Sequence, residues 1–243
     1  MYHAKGGINM LKIENTEVYG WEAAIRGMRN PKNSWDKSDS VYHCGDSVDD
    51  FECDLCGNCG YYKSSNLPCP PNNNPIIVGK NDLKLMKTLA KAGTDHGKFL
   101  RMINVTMDIT APLYWWKEFD TYKVGTVANS CSTMHKIQDK EFTLDDFSIE
   151  HLTEEVIENP FNEIIDCLNF FRGLYLQHND KNDWWQMIQL LPSSYNQKRT
   201  IQLNYAVLKT MYFARKDHKL DEWHTVCDWI LSLPYFKEIC VED

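Results

Sequence analysis

Hydroxyl, amide and cationic side chains are concentrated near the middle of the chain, in the stretch VANSCSTMHK at residues 127–136. Proteins use backbone N–H groups, hydroxyls and lysine ammonium groups to bind the oxygens of a phosphate or a ribose. A capped polar loop between helices is the second interpretation, and the residue types alone favour neither. The candidate contacts to a phosphate or sugar are Lys123, Asn129, Ser130, Ser132, Thr133, His135 and Lys136.

Cysteines form a second concentration of reactive side chains. Five of the nine cysteines lie in segment 44–75, and they include the overlapping C-x-x-C units Cys53/Cys56 and Cys56/Cys59. With Cys69 or Cys44 as the fourth thiolate, these residues could form a closed tetrahedral zinc site. A double-knuckle zinc site needs two separated C-x-x-C pairs, so a variable loop with reduced or paired cysteines is the alternative. The tentative zinc ligands are Cys53, Cys56, Cys59 and Cys69.

Four other residues have polar or aromatic groups that a site could use. His96 lies at a predicted helix-to-strand corner, where it is either a structural hydrogen-bonding group or a group that titrates near neutral pH. Arg215 and His218 lie around a predicted helix-helix turn, from which polar side chains can reach a neighbouring site. Trp35, in a polar loop, is either an anchor on the core or a surface on which a ring stacks.

Composition narrows the class of protein. The formal net charge of −8 argues against general binding to nucleic acid or anionic membranes, although it leaves local basic patches open. No stretch is long and apolar enough to span a bilayer, and the opening MYHAKGGINM lacks the apolar core of a signal peptide. The four cysteines outside the cluster occur singly, as in a reducing compartment. We therefore expect a soluble cytoplasmic protein without a membrane partner.

Hydrophobic periodicity places the candidate residues on secondary structure. Alternating apolar residues predict a strand over 8–19, and an apolar stripe predicts a helix from Asn81 or Asp82 to Ala92 that Gly93 ends. The other elements predicted in this half are a helix over 21–28, a strand after His96, and a helix from Pro112 to about Lys123.

Beyond Thr153 the pattern predicts helices only. Their inward stripes carry many aromatic residues, which we interpret as core rather than as a cofactor site. The chain length and this order predict a single α/β domain over residues 1–243 with an inserted Cys-rich loop at about 41–76. The predicted helices cover residues 159–177, 183–191, 197–216 and 221–233.

The order of these elements resembles that of the flavin-dependent thymidylate synthases. The signature of that family is an R-H-R triplet, followed by a Ser, an Asn and a Ser-x-Arg. The corresponding positions in this chain resemble it as Thr121-Tyr122-Lys123, Thr126, Asn129 and Ser132-Thr133-Met134. Asp95-His96 resembles the acidic residue and histidine before the family's strand, and Asp221-Glu222-Trp223 resembles its late Gln-x-Glu stretch. The layout is also similar to that of uncharacterised phage and prophage proteins.

The resemblance implies an α+β fold, with a small antiparallel sheet and a large helical part. It also implies a homotetramer that binds FAD and dUMP, and that methylates uracil with a nicotinamide-derived hydride and methylenetetrahydrofolate. Lys123 would replace an arginine near the flavin or a phosphate, while Asn129 and Ser132 would keep polar nucleotide contacts. Tyr122 stands where the family has its histidine, and Met134 where it has an arginine that binds substrate.

Three functions follow from these observations. The first is a diverged dUMP methyltransferase of this fold that uses FAD. The second is a non-catalytic protein that binds or sequesters a nucleotide, and the third is a structural or interaction protein whose polar loop only packs. The predicted nucleotide- or cofactor-binding residues are His96, Tyr122, Lys123, Asn129, Ser130, Ser132, His135 and Arg215.

Overall fold

A small sheet and a larger number of helices make up the fold. The computed structural model describes residues 11–42 and 76–242. Four strands form an antiparallel sheet in the order β1-β4-β6-β5, and β2 and β3 form a separate antiparallel pair. The strands are β1 (Lys12–Tyr19), β2 (Val41–Tyr42), β3 (Ile76–Ile77), β4 (Asn104–Pro112), β5 (Val127–Ser130) and β6 (Asn196–Asn204).

The helices of the described residues are mostly short, and most of these helices lie in the second half of the chain. Short 3-10 turns occur at Asn30–Lys32, Trp35–Lys37, Gly97–Arg101 and Leu144–Asp146, and a π-helical turn occurs at Ile157–Phe161. The α-helices of the described residues are α1 (Trp21–Arg29), α2 (Lys80–Lys91), α3 (Leu113–Phe119), α4 (Glu154–Val156), α5 (Asn162–His178), α6 (Lys181–Leu190), α7 (Tyr205–Arg215), α8 (Asp221–Ser232) and α9 (Phe236–Cys240).

The described chain groups into two compact units. The first contains residues 11–15, 107–123 and 127–201. One of its cores lies around the packed pair α5 and α6, where the Phe147 and Phe161 rings meet edge to face at 5.3 Å. Burial of such rings supplies the main stabilising free energy of this core. Its buried residues are Ile137, Phe142, Phe147, Phe161, Ile165, Leu168 and Met187.

The second unit contains residues 16–42, 76–106, 124–126 and 202–242. Aromatic rings again form part of the core, because Trp21 packs edge to face on Tyr205 and on Tyr235. A buried ion pair joins α1 to α2, with Arg29 Nε donating to Asp82 Oδ1 at 2.6 Å. Both side chains are nearly inaccessible, so each neutralises a charge that would otherwise be costly to bury.

Several predicted elements are confirmed. β1 confirms residues 12–19 of the strand predicted over 8–19, whose residues 8–10 lie outside the described part of the chain. The helix over 21–28 corresponds to α1, and the strand after His96 corresponds to β4. α2 lies where its apolar stripe predicts it, and Gly93 has the left-handed φ of 100° that such a stop requires. Neither Asn81 nor Asp82, however, is the residue that caps α2, since both lie inside the helix. Asp82 is buried, and Gly79 occupies the cap position.

Other predictions are wrong. Residues 196–204 form strand β6, so the chain beyond Thr153 is not only helical, and α7 begins at Tyr205 rather than at Gln197. The helix after Pro112 ends at Phe119 instead of Lys123. The stretch 127–130, predicted as a loop, is strand β5. These differences matter for the site, because β5 and β6 are neighbours in the sheet.

The Cys-rich segment lies outside the described residues, so the zinc site at Cys53, Cys56, Cys59 and Cys69 stays a prediction. The inserted loop and the single-domain organisation also stay predictions. Within residues 11–42 and 76–242, no group of three or more His, Cys, Asp or Glu side chains is placed to hold a metal ion. No helix in that part of the chain is long and apolar enough to cross a membrane.

Candidate functional site

Helix α3 leads into the candidate site and is fixed by its buried aromatic face. Trp115, Trp116 and Phe119 are all buried, and the two indole rings meet at a centroid distance of 4.9 Å. The helix ends where Thr121 Oγ1 donates to the Glu118 carbonyl at 2.7 Å, which satisfies a terminal backbone acceptor. The chain then exposes Lys123, while Tyr122 remains half-buried.

Strand β5 presents the next candidate residues to solvent. Asn129 and Ser130 lie on it, and all four of its residues are exposed. β5 is the last strand in the sheet order, with β6 as its neighbour. The pairing continues past the strand, since Cys131 N donates to the Lys198 carbonyl at 2.9 Å. An edge strand keeps one row of backbone donors and acceptors outside the ladder, and a ligand could bind to that row.

The turn after β5 is built on Ser132. Its Oγ accepts the backbone N–H groups of Met134 at 3.1 Å and of His135 at 3.0 Å. The hydroxyl therefore stabilises the turn and keeps only its proton for a ligand. His135 is exposed, whereas Lys136 pairs with Asp139 at 2.9 Å, and that hydrogen bond raises the pKa of Lys136.

Arg199 on β6 is a cation near this segment that the sequence analysis missed. Its Nη1 donates to Asp120 Oδ1 at 2.8 Å, and its Nε donates to Gln197 Oε1 at 3.0 Å. Its guanidinium lies 4.2 Å from the centroid of the Trp116 ring, a cation–π distance. Gln197 Nε2 in turn donates to the Cys131 carbonyl at 2.7 Å, which ties Arg199 to the end of β5.

The alternation of apolar and polar residues in β6 is a sequence signal that could have identified a strand at Arg199. Ile201 and Leu203 alternate with the exposed Thr200 and Gln202, as in a strand with one buried face. Asn204 then marks the start of α7, because its Oδ1 accepts the backbone N–H groups of Ala206 and Val207. Both signals are present in the sequence that we predicted as one long helix.

A charged cluster joins three strands of the first unit. Asp108 on β4 accepts hydrogen bonds from Thr200 and Asn15, and Lys198 lies 3.1 Å from the same carboxylate. These contacts lower the pKa of Asp108 to about 2, with the Thr200 hydroxyl as the largest cause. Asp108 thus stays ionised near neutral pH, and both of its carboxylate oxygens already accept hydrogen bonds. The cluster orients the strands and is poorly suited to proton transfer.

The two remaining predicted residues belong to the second unit. His96 is exposed and immediately precedes the 3-10 turn Gly97–Arg101. Arg215 ends α7, and its guanidinium lies 4.7 Å from the centroid of the Trp223 ring. The structure therefore brings Lys123, Asn129, Ser130, Ser132 and His135 into one unit, while His96 and Arg215 are in the other.

Comparison with solved structures identifies the fold. A crystal structure of thymidylate synthase X (ThyX) from Helicobacter pylori with FAD and dUMP matches with a TM-score of 0.61 and 15% identity. The match covers 95% of this chain and 97% of that one. The chain has the fold of the flavin-dependent thymidylate synthases.

A second structure of the Helicobacter pylori enzyme, also complexed with FAD and dUMP, supports the same fold. It matches with a TM-score of 0.61 and 15% identity over 95% of this chain and 98% of that one. No family model matches the sequence, and no curated protein matches it. The flavin-dependent thymidylate synthase fold is thus shown by backbone geometry, and the fold class predicted from the order of elements is confirmed.

Proposed function

We propose that this protein binds a nucleotide at the polar corner, defined as Lys123, Asn129, Ser130, Ser132 and His135. The observation that carries the proposal is the fold match over 95% of the chain to ThyX structures whose ligands are FAD and dUMP. The corner supports it chemically, because exposed hydroxyl, amide and ammonium groups lie on or near β5, the last strand of the sheet among the described residues.

Each part of the polar corner suits a different part of a nucleotide. The Lys123 ammonium is exposed and suits a phosphate, while Asn129 and Ser130 offer the donors and acceptors that a ribose or base edge needs. Val127, which is 62% exposed, and Met134, which is 44% exposed, supply apolar surface that a ring could cover. Burying such surface under a ring would add to the affinity.

FAD fits this donor set as the cofactor. Its phosphates would be held by Lys123 and by backbone N–H groups of the β5 edge, and its ribityl or ribose hydroxyls by Asn129 and Ser130. Bound FAD would supply the hydride-transfer chemistry that methylation of dUMP requires. We include Tyr122 in the proposed binding set. His96 and Arg215, which belong to the second unit, are proposed as nucleotide- or cofactor-binding residues on the family resemblance alone.

Nucleotide binding without turnover is the second candidate function. It is favoured by the identity of two residues. Tyr122 stands where the resemblance implies a histidine, and Met134 where it implies an arginine. A thioether cannot neutralise a phosphate, and losing a charged hydrogen bond weakens binding by about 1.5–3 kcal/mol.

Thermal unfolding with added dUMP or FAD tests the proposal. A ligand at a hundredfold excess over its Kd stabilises the native state by about 2.7 kcal/mol, which raises the melting temperature. Lys123→Ala and Ser130→Ala should reduce that rise. Lys181→Ala removes an exposed lysine outside the polar corner and should leave the rise unchanged. If all three variants respond like the wild type, the ligand does not bind at the polar corner.

A kinetic assay separates the two candidate functions. Oxidation of a reduced nicotinamide that depends on dUMP and FAD would support the methyltransferase. A thermal response to either ligand without such oxidation would support the binding protein. Ser132→Ala is a poor probe in both assays, because it removes the acceptor of two backbone N–H groups and disturbs the turn itself.

A further inference from the structure

The Gln197 side chain connects separate segments of the first unit. Gln197 lies on β6 and is 8% exposed. Its Oε1 accepts a hydrogen bond from Arg199 Nε at 3.0 Å, and its Nε2 donates to the Cys131 carbonyl at 2.7 Å. Its backbone carbonyl accepts the Trp116 indole N–H at 3.0 Å. The residue therefore joins β6 to α3 and to the residue that follows β5.

The two side-chain partners of Gln197 require one group that both accepts and donates. A guanidinium only donates hydrogen bonds and a carbonyl oxygen only accepts them, so the side chain between Arg199 and Cys131 must do both. A glutamate would keep the acceptor for Arg199 but would set a carboxylate oxygen against the Cys131 carbonyl. A methionine, which has a similar length, would lose both hydrogen bonds.

The Cys131 carbonyl is the point at which Gln197 acts on the polar corner. Cys131 follows Ser130, the last residue of β5, and precedes Ser132, whose hydroxyl holds the next turn. The Cys131 N–H group donates to the Lys198 carbonyl at 2.9 Å, so both backbone polar groups of Cys131 are bound to β6. Because a peptide group is planar, holding the Cys131 carbonyl orients the Cys131–Ser132 peptide and the corner residues on either side of it.

The other end of this turn is held from α5. Arg172 Nε donates to the Gln138 carbonyl at 2.8 Å, and Gln138 Nε2 donates to the His135 carbonyl at 3.2 Å. The segment from Cys131 to Gln138 is thus attached to β6 at its start and to α5 at its end. Loss of the Gln197 bond would loosen the start of the segment while its end stays attached.

We propose that Gln197 is a positioning residue of the polar corner, which orients Ser130 and Ser132 for the nucleotide. The inference rests on the proposed nucleotide binding. Gln197 is buried, so it acts through Cys131 rather than through contact with the ligand. Groups that are held in their bound geometry before the ligand arrives lose less conformational entropy on binding, which raises the affinity. Arg199 acts one step further back, because it fixes the Gln197 amide.

Hydrogen exchange by NMR and ligand titration of Gln197→Glu in the full chain test this proposal. One hydrogen bond of ordinary net strength corresponds to about a two- to tenfold change in an equilibrium constant. The Cys131, Met134 and His135 amides, which are hydrogen-bonded within this segment, should exchange faster by about that factor. The Kd of whichever of FAD and dUMP the wild type binds should rise by about the same factor.

The controls separate positioning from a general loss of stability. Gln202→Glu makes the same chemical change at an exposed position of β6 and should alter neither measurement. Ile165→Val lowers stability by removing a methyl group from the core of the same unit, and should leave the Kd unchanged. The Phe142 amide, which Asn169 on α5 holds at 2.9 Å, should exchange at the wild-type rate in Gln197→Glu. Gln197→Met removes both hydrogen bonds without adding a charge, and replaces Gln197→Glu if that variant fails to fold.

Each outcome decides the role of Gln197. Unchanged exchange at Cys131, Met134 and His135 in both Gln197 variants would overturn the proposal. An unchanged Kd in a variant whose exchange is faster, or an equal rise in Kd for Ile165→Val, would also overturn it. If the wild type binds neither ligand, nucleotide binding at the polar corner fails, while the exchange rates still decide whether Gln197 orients the segment.

Discussion

Arg199 is held by three contacts that use the shape of its guanidinium: an ion pair with Asp120, a hydrogen bond to Gln197 and the face of Trp116. Lysine keeps the charge but lacks the planar fork. We expect Arg199→Lys to lower the free energy of unfolding by about 1–2 kcal/mol in urea titrations. Arg26→Lys, an exposed residue 3.7 Å from Glu22, is the matched control and should change it by less than about 0.5 kcal/mol. Equal losses would contradict this role of Arg199.

Asp82 is the acceptor on which the buried network of the second unit depends. Burial raises the pKa of its carboxyl, but the hydrogen bonds from Ser40, Ser38 and Arg29 outweigh burial, so the pKa lies below its usual value. Asp82→Ala leaves Arg29 buried without a counter-charge and should cost about 3–5 kcal/mol. Asp95→Ala, at an exposed position, is the control that should cost little.

The same carboxylate predicts a pH dependence. Because the pKa of Asp82 is lower in the folded protein, its carboxylate contributes fully to the free energy of unfolding above the unfolded-state pKa of about 3.9. That contribution is lost as the pH falls through the folded-state pKa. The stability difference between wild type and Asp82→Ala should therefore shrink in acid. Urea titrations at a series of pH values measure this difference. If the difference stays constant down to the lowest pH at which the protein folds, the lowered pKa of Asp82 is contradicted.

At the scale of elements, the β1–α1 corner depends on Gly20. Its φ of 90° is left-handed, and a Cβ there would collide with the Met102 carbonyl oxygen. Gly93 has a similar φ of 100° but open space around its Cβ position, so Gly93→Ala pays only the conformational cost of about 1–2 kcal/mol. Gly20→Ala should be clearly more destabilising in thermal melts. Similar melting temperatures for the two variants would rule out the collision.

A helix or strand is predictable from the sequence when its hydrophobic periodicity and its start and stop residues indicate the same element. α1 and α2 have apolar stripes and clear stops, so both are predictable from sequence. β6 and α7 are contiguous, and Ile201 and Leu203 fit an apolar stripe as well as an alternation, so the boundary at Asn204 was missed. Two partners of Arg199, Trp116 and Asp120, lie in and directly after α3, far from β6 in the chain, and sequence spacing cannot show such a contact. The polar corner was predictable by residue type, because its members lie close together in the chain.

At the scale of the whole molecule, the fold match extends over almost the entire chain while the identity is 15%. Backbone arrangement can persist when most side chains change, because cores tolerate hydrophobic substitution that keeps volume and pattern. Function depends on particular side chains, so the fold alone leaves catalysis to experiment. We expect a homotetramer from the family resemblance, and light scattering of the purified chain measures the number of subunits.

Native mass spectrometry of the purified protein titrated with FAD and dUMP tests the central claim most directly. The account predicts that at least one of the two ligands adds to the wild-type protein. It also predicts that Lys123→Ala/Ser130→Ala reduces this adduct while Lys181→Ala does not. A wild-type protein that remains free of both ligands at concentrations that saturate a millimolar site would contradict nucleotide binding at the polar corner.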